Sequence, residues 1–543
     1  MLSRKFKSIA IIIISIIIVF IVVLNHKSEL EITSSNQLYI TDSQREQLMA
    51  THALSPSVLT TNLIFDNENL IYDSSTNTFY YSLIENSNSR FTPSVISDDG
   101  ITVALYGAAI SDESIAANTD FELLIYNDST VSISTLKCTT LPVMNITVYP
   151  ETVTELGLDD NMDILSYVGS SIYLFDNRSD FDGKTRQIVS DAKIRRHGQT
   201  TAGFPLKGYR IGLLEDRTNI DGNTHKENLL GLRNDDDWIL TATYRDYEKV
   251  RNVFSMNLWH ESFNKENEWN VNNSTQYKFI ELFFNGRYHG IYGLCYRLDA
   301  KEFKPGDGET TFKKKDWSMS ELDTALTIDE NTGSATLPGY VLKDGDIAGF
   351  NDLLELYVHM NYSPDPALIR MTSDVGNSID LWLYYKLTQA VDNISYGNVK
   401  NMYVTVKNSD SGIHGHKLLF TPWDMDQSWR YTSPDTTGLY NHPNFDLPIG
   451  WGTVHRLQEV GDPTINQEIK ERYQVLRGSV WSDENIIAML DEYEKQIYDS
   501  GAFARTQAKY PEGSYNDASI KLSDFKAYAL KRLQCMDEYI SSF

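Results

Sequence analysis

Acidic and amide side chains cluster between Asp392 and Asp426, where their spacing could support phosphoryl transfer. A helical pattern ends at Asp392, and Asn401 opens the following strand. A second apolar strand then leads to Asp424 and Asp426. This order of helix, acidic loop, Asn-headed strand and returning acid is the order of parts in kinase-like phosphotransferases.

The chemistry of such a site needs few protein groups. A loop Asp orients or deprotonates the acceptor hydroxyl, while an Asn and an Asp bind metals that bridge the nucleotide phosphates. Because the transition state is loose, positioning and charge neutralisation supply most of the catalysis. We therefore predict Asp392 as a catalytic residue and Asn401, Asp424 and Asp426 as metal ligands. Alternatively, Asp424 and Asp426 could cap a turn before Trp429.

A second candidate cluster lies between residues 193 and 213. Gly198, Gln199 and Thr200 fall in a loop between two predicted strands, and Lys207 heads the second strand. Small and hydroxylic residues let backbone N–H groups approach phosphates, and a strand lysine can reach them. The segment forms a local basic island of Arg195, Arg196, His197, Lys207 and Arg210. The alternative is a solvated strand pair with scattered cations.

Composition limits the classes of protein to consider. The 543 residues are 41% hydrophobic and 12% aromatic, which indicates a folded chain of several domains and not a disordered one. The formal net charge of -26 argues against nucleic acid as a partner. Three widely spaced cysteines give no disulfide framework and no Cys-x-x-Cys metal motif.

The N-terminus predicts attachment to a membrane. Basic residues precede a run of 16 residues, Ile9 to Leu24, that is apolar except for Ser15. No small-residue cleavage motif follows, so we favour an uncleaved signal anchor over residues 1–27, with a cleaved signal peptide as the alternative. Under the positive-inside rule the rest of the chain is extracytoplasmic.

The remaining chain divides into four parts that differ in composition and hydrophobic periodicity. We predict a polar stalk over residues 28–48, a small all-β module over 49–138, an α+β domain over 139–467, and a C-terminal helical part over 468–543 that packs on that domain. An Asn285-Gly286 pair between two apolar strands predicts a β-hairpin. Helical periodicity is clearest at 247–263, 353–360, 378–391, 485–498 and 523–540.

Four blocks in order resemble the spore coat protein H (CotH) family of atypical kinases. The first contains Arg196, His197, Gly198, Gln199, Thr200, Thr201, Phe204, Pro205, Lys207, Tyr209 and Arg210. The second contains Asp236, Asp237, Trp238, Ile239, Leu240, Arg251 and Asn252. The third contains Glu281, Leu282, Asn285, Gly286, Tyr288, Gly290, Tyr292 and Leu294, and the fourth Asp392, Lys400, Asn401, Pro422, Trp423, Asp424 and Asp426.

This resemblance implies an atypical protein-kinase-like fold that binds ATP with Mg²⁺ or Mn²⁺ and phosphorylates Ser or Thr in Ser-rich segments of surface or spore coat proteins. It implies that Asp392 and Lys207 are catalytic and that Asn401 and Asp424 hold metal. The implied cofactor-binding residues are Arg196, Gly198, Gln199, Thr200, Lys207 and Glu281.

The third block departs from the family pattern. Cys295 and Tyr296 stand where the family usually continues to a Glu, and Glu281 or Asp299 could replace that Glu as the partner of Lys207. Two further functions are therefore kept open. One is a catalytically silent kinase fold that serves as a structural or adhesive surface protein, and the other is a secreted carbohydrate-binding protein with Ca²⁺ at Asp424 and Asp426.

Overall fold

A computed structural model of the chain describes residues 31–33, 38–87, 89–183, 185–198, 203–317, 327–329, 334–395, 397–429, 442–444, 446–511 and 521–543. The predicted anchor, Ile9 to Leu24, lies outside these ranges. Within them, no helix is both long enough and apolar enough to cross a bilayer. The described residues mix helices with strands, as predicted.

The N-terminal module contains two sheets. In one sheet the strand order is β1-β8-β4-β5, and in the other it is β2-β9-β10-β11-β7-β6, with β3 paired to β11. Its elements are β1 (Glu31–Thr33), β2 (Tyr39–Ile40), α1 (Asp42–Thr51), β3 (Ala53–Leu54), β4 (Ile64–Phe65), β5 (Glu68–Asn69), β6 (Ile71–Asp73), β7 (Thr78–Ser82), β8 (Val95–Ser97), β9 (Thr102–Tyr106), α2 (Asp112–Ala116), β10 (Phe121–Tyr126) and β11 (Thr130–Thr139).

The structure differs from the prediction of a polar stalk at residues 28–48. Strand β1 pairs with β8, and helix α1 begins at Asp42. Thr41 and Gln44 form a capping box that satisfies backbone N–H groups at the start of α1. The module therefore extends N-terminal to residue 49, and its two helices mean that it is not all β.

Seven strands after the module close into a barrel in the order β12-β13-β14-β15-β16-β18-β17. The barrel closes because β12, the first strand, pairs in parallel with β17. Its elements are β12 (Val143–Val148), α3 (Pro150–Leu156), β13 (Val168–Phe175), β14 (Gln187–His197), β15 (Gly208–Leu214), β16 (Asp237–Ala242), α4 (Arg251–Phe263), β17 (Tyr277–Phe284) and β18 (Arg287–Tyr296).

The predicted β-hairpin is confirmed as β17 and β18. Asn285 and Gly286 join the strands with φ angles of 50° and 80°. Two positive φ angles in a row fit a type I′ turn, whose twist matches that of the flanking strands. Because Asn and Gly tolerate these angles best, the dipeptide was a reliable signal.

A mainly helical lobe completes the chain. Its elements are α5 (Ala300–Phe303), β19 (Thr310–Lys314), β20 (Thr327–Asp329), β21 (Ser334–Thr336), β22 (Tyr340–Asp344), α6 (Gly349–Tyr362), α7 (Pro366–Arg370), α8 (Val375–Thr388), β23 (Ile394–Ser395), β24 (Asn398–Val399), β25 (Met402–Ile413), β26 (His416–Pro422), α9 (Gly452–Glu459), α10 (Ile465–Arg477), α11 (Asp483–Ile497), α12 (Ala502–Lys509) and α13 (Leu522–Ser541).

The five predicted helices are present as α4, α6, α8, α11 and α13, with ends shifted by a few residues. The predicted boundary at residue 467 falls inside α10. Helices α10, α11 and α13 share one hydrophobic core with α4 and α8. The C-terminal helices therefore belong to the helical lobe and are not a separate part packed on it.

A cleft lies between the barrel and the helical lobe. Along β14, β15 and β16 the side chains alternate, so that Ile211 and Leu240 fill the barrel while Ile239 joins the core of the helical lobe. The polar residues on this outer face line one wall of the cleft. The four-stranded sheet β22-β19-β25-β26 lies opposite, since Lys313 acts electrostatically on His197, and Tyr403 and Lys343 lie within electrostatic reach of Arg210.

Candidate active site

Asp392 is held between two side chains that follow it in the sequence. The Lys400 Nζ lies 2.7 Å from the Asp392 Oδ1. The Asn401 Nδ2 donates to the Asp392 Oδ2 at 3.3 Å. The short hairpin β23–β24 returns the chain and brings these residues back to Asp392. A carboxylate that contacts both a lysine and an amide is fixed in orientation.

Asn401 and Asp424 are joined through backbone hydrogen bonds. The N–H of Trp423 donates to the carbonyl of Asn401 at 2.9 Å. The buried Asn393 side chain donates to the carbonyls of Asn401 at 3.1 Å and Trp423 at 2.8 Å. Asn401 and Asp424 both have positive φ angles, 52° and 58°, which Asn and Asp adopt more readily than most residues. The two candidate metal ligands are thus fixed relative to each other.

The N-terminus of α4 holds the loop after Asp424. The N–H of Met425 donates to the Asn252 Oδ1 at 2.8 Å. The Arg251 guanidinium donates to the carbonyl of Ser428 at 3.2 Å and pairs with Glu248, with 2.8 Å between Nε and Oε2. Arg251 and Asn252, which resemble part of a family block, therefore position the acidic loop.

Asp426 lies beside Asp424 and at the edge of a small recess. The recess is also lined by Asn252, Lys249 and Asp246. Burial, with the charge of Glu248, raises the pKa of Asp246, and burial lowers the pKa of Lys249. Lys249 has a φ of 66° at the start of α4. Lys249 and Asp426, the second acid of the Asp-x-Asp pair, therefore line the same recess.

Mutual repulsion marks Asp424, Asp426 and Asp392 as one charged group. Burial first, and then the negative charges of Asp426 and Asp392, raise the pKa of Asp424. A divalent cation would relieve this repulsion, and carboxylate and amide oxygens are the donors that Mg²⁺ prefers. The Oδ1 of Asn401 accepts no hydrogen bond from any residue that the structure describes.

The donor set fits a metal that keeps part of its water shell. Within the described ranges, no three His, Cys, Asp or Glu side chains come close enough together to hold a metal by themselves. Asp424 and Asp426 with the Asn401 amide would supply two or three oxygens, and Mg²⁺ typically takes its remaining ligands from water and phosphate. The residues present therefore fit a metal–nucleotide better than a metal bound by protein alone.

Cations line the barrel wall of the cleft. Arg195 and Arg210 are cross-strand neighbours on β14 and β15. The Arg210 Nε donates to the Asp237 Oδ1 at 2.7 Å, and the Arg297 Nη1 lies 3.2 Å from the Asp237 Oδ2. Burial, and then nearby positive charges, lower the pKa of His197 to about 3, so this imidazole is neutral. Two arginines sharing one carboxylate leave this wall positively charged.

Two of the predicted nucleotide-binding residues of the barrel, Lys207 and Arg196, contact groups of the barrel itself. The Lys207 side chain is buried, and its Nζ donates to the carbonyl of Phe204 at 2.8 Å. The Arg196 Nη1 lies 2.6 Å from the Asp163 Oδ1. Gly198 is exposed with a φ of 94°. Gln199 and Thr200 lie outside the described residues.

Glu281 is the clearest difference from the sequence-based expectation. Its two carboxylate oxygens accept from the Arg505 guanidinium at 2.9 and 2.8 Å, and its exposed fraction is 0%. A fully buried carboxylate cannot contact a nucleotide, so these contacts give Glu281 a structural role. Asp299 caps α5 by accepting from the Lys301 N–H at 2.9 Å.

Sequence reasoning missed two residues that shape the site. Asn393 directly follows Asp392, and its amide could have been suspected as a local hydrogen-bond donor. Lys313 lies on β19, and its Nζ is 5.2 Å from the centroid of the Trp423 ring. Its signal was a run of three lysines, Lys313 to Lys315, in an acidic chain.

Comparison with known proteins gives one family. The family model described as CotH kinase protein matches residues 194–536, which is 343 of the 543 residues. No curated protein matches the chain significantly. The matched range contains Asp392, Asn401, Asp424 and Asp426. The chain belongs to the CotH kinase protein family.

Proposed function

We propose that this chain is a metal-dependent kinase that transfers the γ-phosphoryl group of ATP to Ser or Thr hydroxyls in Ser-rich segments of a protein acceptor. The observation that carries the proposal is the convergence of Asp392, Asn401 and Asp424 in one cleft. These side chains are the ones that kinase-like phosphoryl transfer requires.

Each residue has a distinct role in the proposed reaction. Asp392 accepts a hydrogen bond from the acceptor hydroxyl and takes its proton as the acceptor oxygen bonds to the γ-phosphorus of ATP. The bond from that phosphorus to the β,γ-bridging oxygen breaks in the same step, and ADP leaves with the bonding electrons. Lys400 and Asn401 hold the Asp392 carboxylate in a fixed orientation. Asn401, Asp424 and, as a further ligand, Asp426 would hold Mg²⁺ or Mn²⁺. A bound divalent cation supplies neutralisation of the phosphate charge.

The location of the enzyme is part of the proposal. The apolar run Ile9 to Leu24 supports a single N-terminal anchor, with the catalytic residues extracytoplasmic, at the cell surface or associated with a spore. Acceptors would then be surface or spore coat proteins. The net charge of -26 argues against a nucleic-acid partner.

Two observations favour the alternative of a catalytically silent structural protein. The Tyr296 ring, where the family usually has a Glu, carries the Arg233 guanidinium 4.4 Å from its centroid. The Lys207 amine is bound to a backbone carbonyl. A kinase fold without its usual Lys–Glu pair can persist as an interaction module.

A transfer assay separates the alternatives. The purified full-length chain is incubated with labelled ATP, Mn²⁺ or Mg²⁺ and a Ser-rich acceptor. We expect transfer that falls about 10³-fold in Asp392→Ala and in Asp424→Ala. Asp410→Ala, which removes an exposed carboxylate on β25, is the matched control and should behave as wild type.

The same assay has outcomes that contradict the proposal. Absence of transfer together with thermal stability that ATP and metal leave unchanged would favour the silent protein. Stabilisation by Ca²⁺ alone, lost in Asp424→Ala, would favour the calcium-dependent carbohydrate-binding protein.

A further inference from the structure

Lys313 lies in the middle of the sheet β22-β19-β25-β26, which forms the wall of the cleft opposite the barrel. It belongs to β19, where it faces Tyr403 of β25 on one side and Val341 of β22 on the other. Central strands fix the direction of their side chains, because both edges are hydrogen bonded. Lys313 is therefore presented from a rigid element.

Two aromatic rings hold the Lys313 ammonium without neutralising it. Its Nζ lies 5.4 Å from the centroid of the Tyr403 ring and 5.2 Å from that of the Trp423 ring. These cation–π contacts orient the group but leave its charge in place. Trp423 directly precedes Asp424, so the cation is held next to the candidate metal ligand.

Other lysines of the site are already paired. Lys400 pairs with Asp392, and the Lys207 amine donates to a carbonyl. Among the residues that the structure describes, no carboxylate lies within 4.0 Å of the Lys313 Nζ. The charge of Asp424 acts on Lys313 without contacting it. A negative group in direct contact with this half-buried ammonium would therefore have to come from a ligand.

The surroundings of Lys313 are rich in positive charge. Burial lowers the pKa of Lys313 to about 8. The positive charges of Lys343 and Arg297 lower it further, and the negative charge of Asp424 opposes them. Lys313 in turn acts on His197 across the cleft. On the barrel side of the cleft, the two cations Arg210 and Arg297 share the single carboxylate of Asp237. A polyanion would balance them.

We propose that Lys313 binds the β- and γ-phosphates of the metal–nucleotide from the helical lobe, opposite Asp424, in the role that sequence reasoning gave to Lys207. This inference rests on the proposed function. Lys207 is directed to the Phe204 carbonyl and is buried, whereas Lys313 faces the cleft and the acidic loop. The positioned ammonium would draw the phosphates toward the metal ligands.

The test compares nucleotide binding by Lys313→Met with binding by wild type. Full-length protein with Mn²⁺ is titrated with ATP and, separately, with adenosine by calorimetry. We expect Lys313→Met to weaken ATP binding about 10- to 100-fold, the loss of one charge-assisted contact, and to leave adenosine binding unchanged. Lys313→Arg should recover part of the ATP affinity.

Two control variants make the result specific. Lys278→Met, an exposed lysine on strand β17 of the barrel, should bind ATP as wild type. Lys207→Met should weaken ATP binding less than Lys313→Met does. Thermal unfolding of each variant shows whether it is folded, and Met keeps the aliphatic stem that packs on the two rings.

The outcomes separate this inference from the proposed function. Equal ATP affinity in Lys313→Met and wild type would overturn the inference alone, as would equal losses for ATP and adenosine. If wild type binds no metal–ATP at all, both the inference and the proposed function are wrong. A selective loss of ATP affinity in Lys313→Met supports both.

Discussion

At the scale of single residues, Asn393 has a larger role than its position outside any motif suggests. It is 1% exposed, and its amide joins the backbone at Asn401 to the backbone at Trp423. Truncation would remove the Asn393 donor from both carbonyls, although the Asn401 carbonyl would still accept from the Trp423 N–H. Each such loss costs about 1–3 kcal/mol of the free energy of unfolding.

We predict that Asn393→Ala lowers the free energy of unfolding by about 2 kcal/mol. It should also raise the Mn²⁺ concentration needed for half-maximal transfer, because Asn401 and Asp424 lose their fixed separation. Urea unfolding and a Mn²⁺ titration of the transfer rate measure the two effects. Asn466→Ala, an exposed position on α10, is the control. An unchanged Mn²⁺ requirement in a destabilised Asn393→Ala would show that Asn393 stabilises the fold only.

His289 makes stability depend on pH. It is 2% exposed, stacks on Tyr292 and lies 3.4 Å from the Tyr209 hydroxyl. Burial, with the charges of Lys509 and Lys207, lowers the pKa of His289 to about 3 in the folded chain. The unfolded chain takes up this proton near pH 6.5, whereas the folded chain does not until about pH 3.

The contribution of neutral His289 to the free energy of unfolding is therefore fully present above pH 6.5 and decreases as the pH falls below that value. For this histidine the loss by pH 5 is about 2 kcal/mol, from 1.4 kcal/mol for each pH unit. We predict that His289→Gln reduces the fall in the free energy of unfolding between pH 7 and pH 5 by about this amount. Urea unfolding at both pH values provides the measurement. An equal decrease in the free energy of unfolding between pH 7 and pH 5 in wild type and His289→Gln would contradict this prediction.

The acids of the site could be predicted because they are close in sequence. Asp392 and Asn401 are joined by a short hairpin, and one strand pair brings Asp424 back beside them. Lys313 and Glu281 could not be assigned in this way. Lys313 reaches the cleft through strand pairing with β25, and Glu281 meets Arg505, which is 224 residues away. Contacts between residues this far apart in sequence cannot be recognised from the spacing of residues within a motif.

At the scale of elements, the β17–β18 turn joins the barrel to the N-terminal module. Gly286 has a φ of 80°, and a Cβ added there would lie 2.4 Å from the carbonyl oxygen of Tyr72 on β6. Gly415, in the β25–β26 turn, has a φ of 84° and no neighbour within 4 Å of such a Cβ. Both glycines have a φ that strains other residues, but only at Gly286 would a side chain also collide with a neighbour. Comparing substitutions at the two positions therefore distinguishes backbone strain from steric contact.

We predict that Gly286→Ala lowers the free energy of unfolding by about 3 kcal/mol, because left-handed strain adds to displacement of the Tyr72 backbone. Gly415→Ala should cost only about 1 kcal/mol, the price of the strained φ alone. Denaturant unfolding of both variants tests the difference. Equal decreases in the free energy of unfolding for Gly286→Ala and Gly415→Ala would mean that contact with the Tyr72 backbone adds nothing to the strain at Gly286.

The same turn shows what local sequence can predict at this scale. Asn285-Gly286 identified the hairpin because only a few residue types adopt the required angles. Closure of the barrel was not foreseen, since β12 and β17 are about 130 residues apart and pair in parallel. The segment predicted as a stalk lacked strong periodicity, and its strand and helix gain their stability from contacts with the module.

At the scale of the whole molecule, Arg505 joins three parts of the chain. From α12 it pairs with Glu281 of the barrel, and it donates to the Asn118 Oδ1 at 3.0 Å and the Cys138 carbonyl at 3.1 Å in the module. It also donates to the Ser500 carbonyl at 2.8 Å. The guanidinium is therefore satisfied on every side while remaining buried.

We predict that Arg505→Met lowers the free energy of unfolding by about 3–5 kcal/mol, because it leaves the buried Glu281 carboxylate without its partner. The double variant Glu281→Met with Arg505→Met should recover most of the loss, since packed apolar groups can replace a buried ion pair. Arg287→Met is the control, because the Arg287–Asp160 pair is 50% and 73% exposed and should contribute under about 1 kcal/mol.

Calorimetry distinguishes a local loss from loss of coupling between the parts. If Arg505 joins the module to the barrel and the helical lobe, Arg505→Met should split the unfolding transition, with the module melting first and becoming sensitive to protease. A single transition that is merely shifted would mean that the aromatic contacts of Tyr80 with Phe283 and Tyr288 suffice to couple them. Because the active-site cleft lies between the other two parts, transfer activity should follow the second transition and not the first.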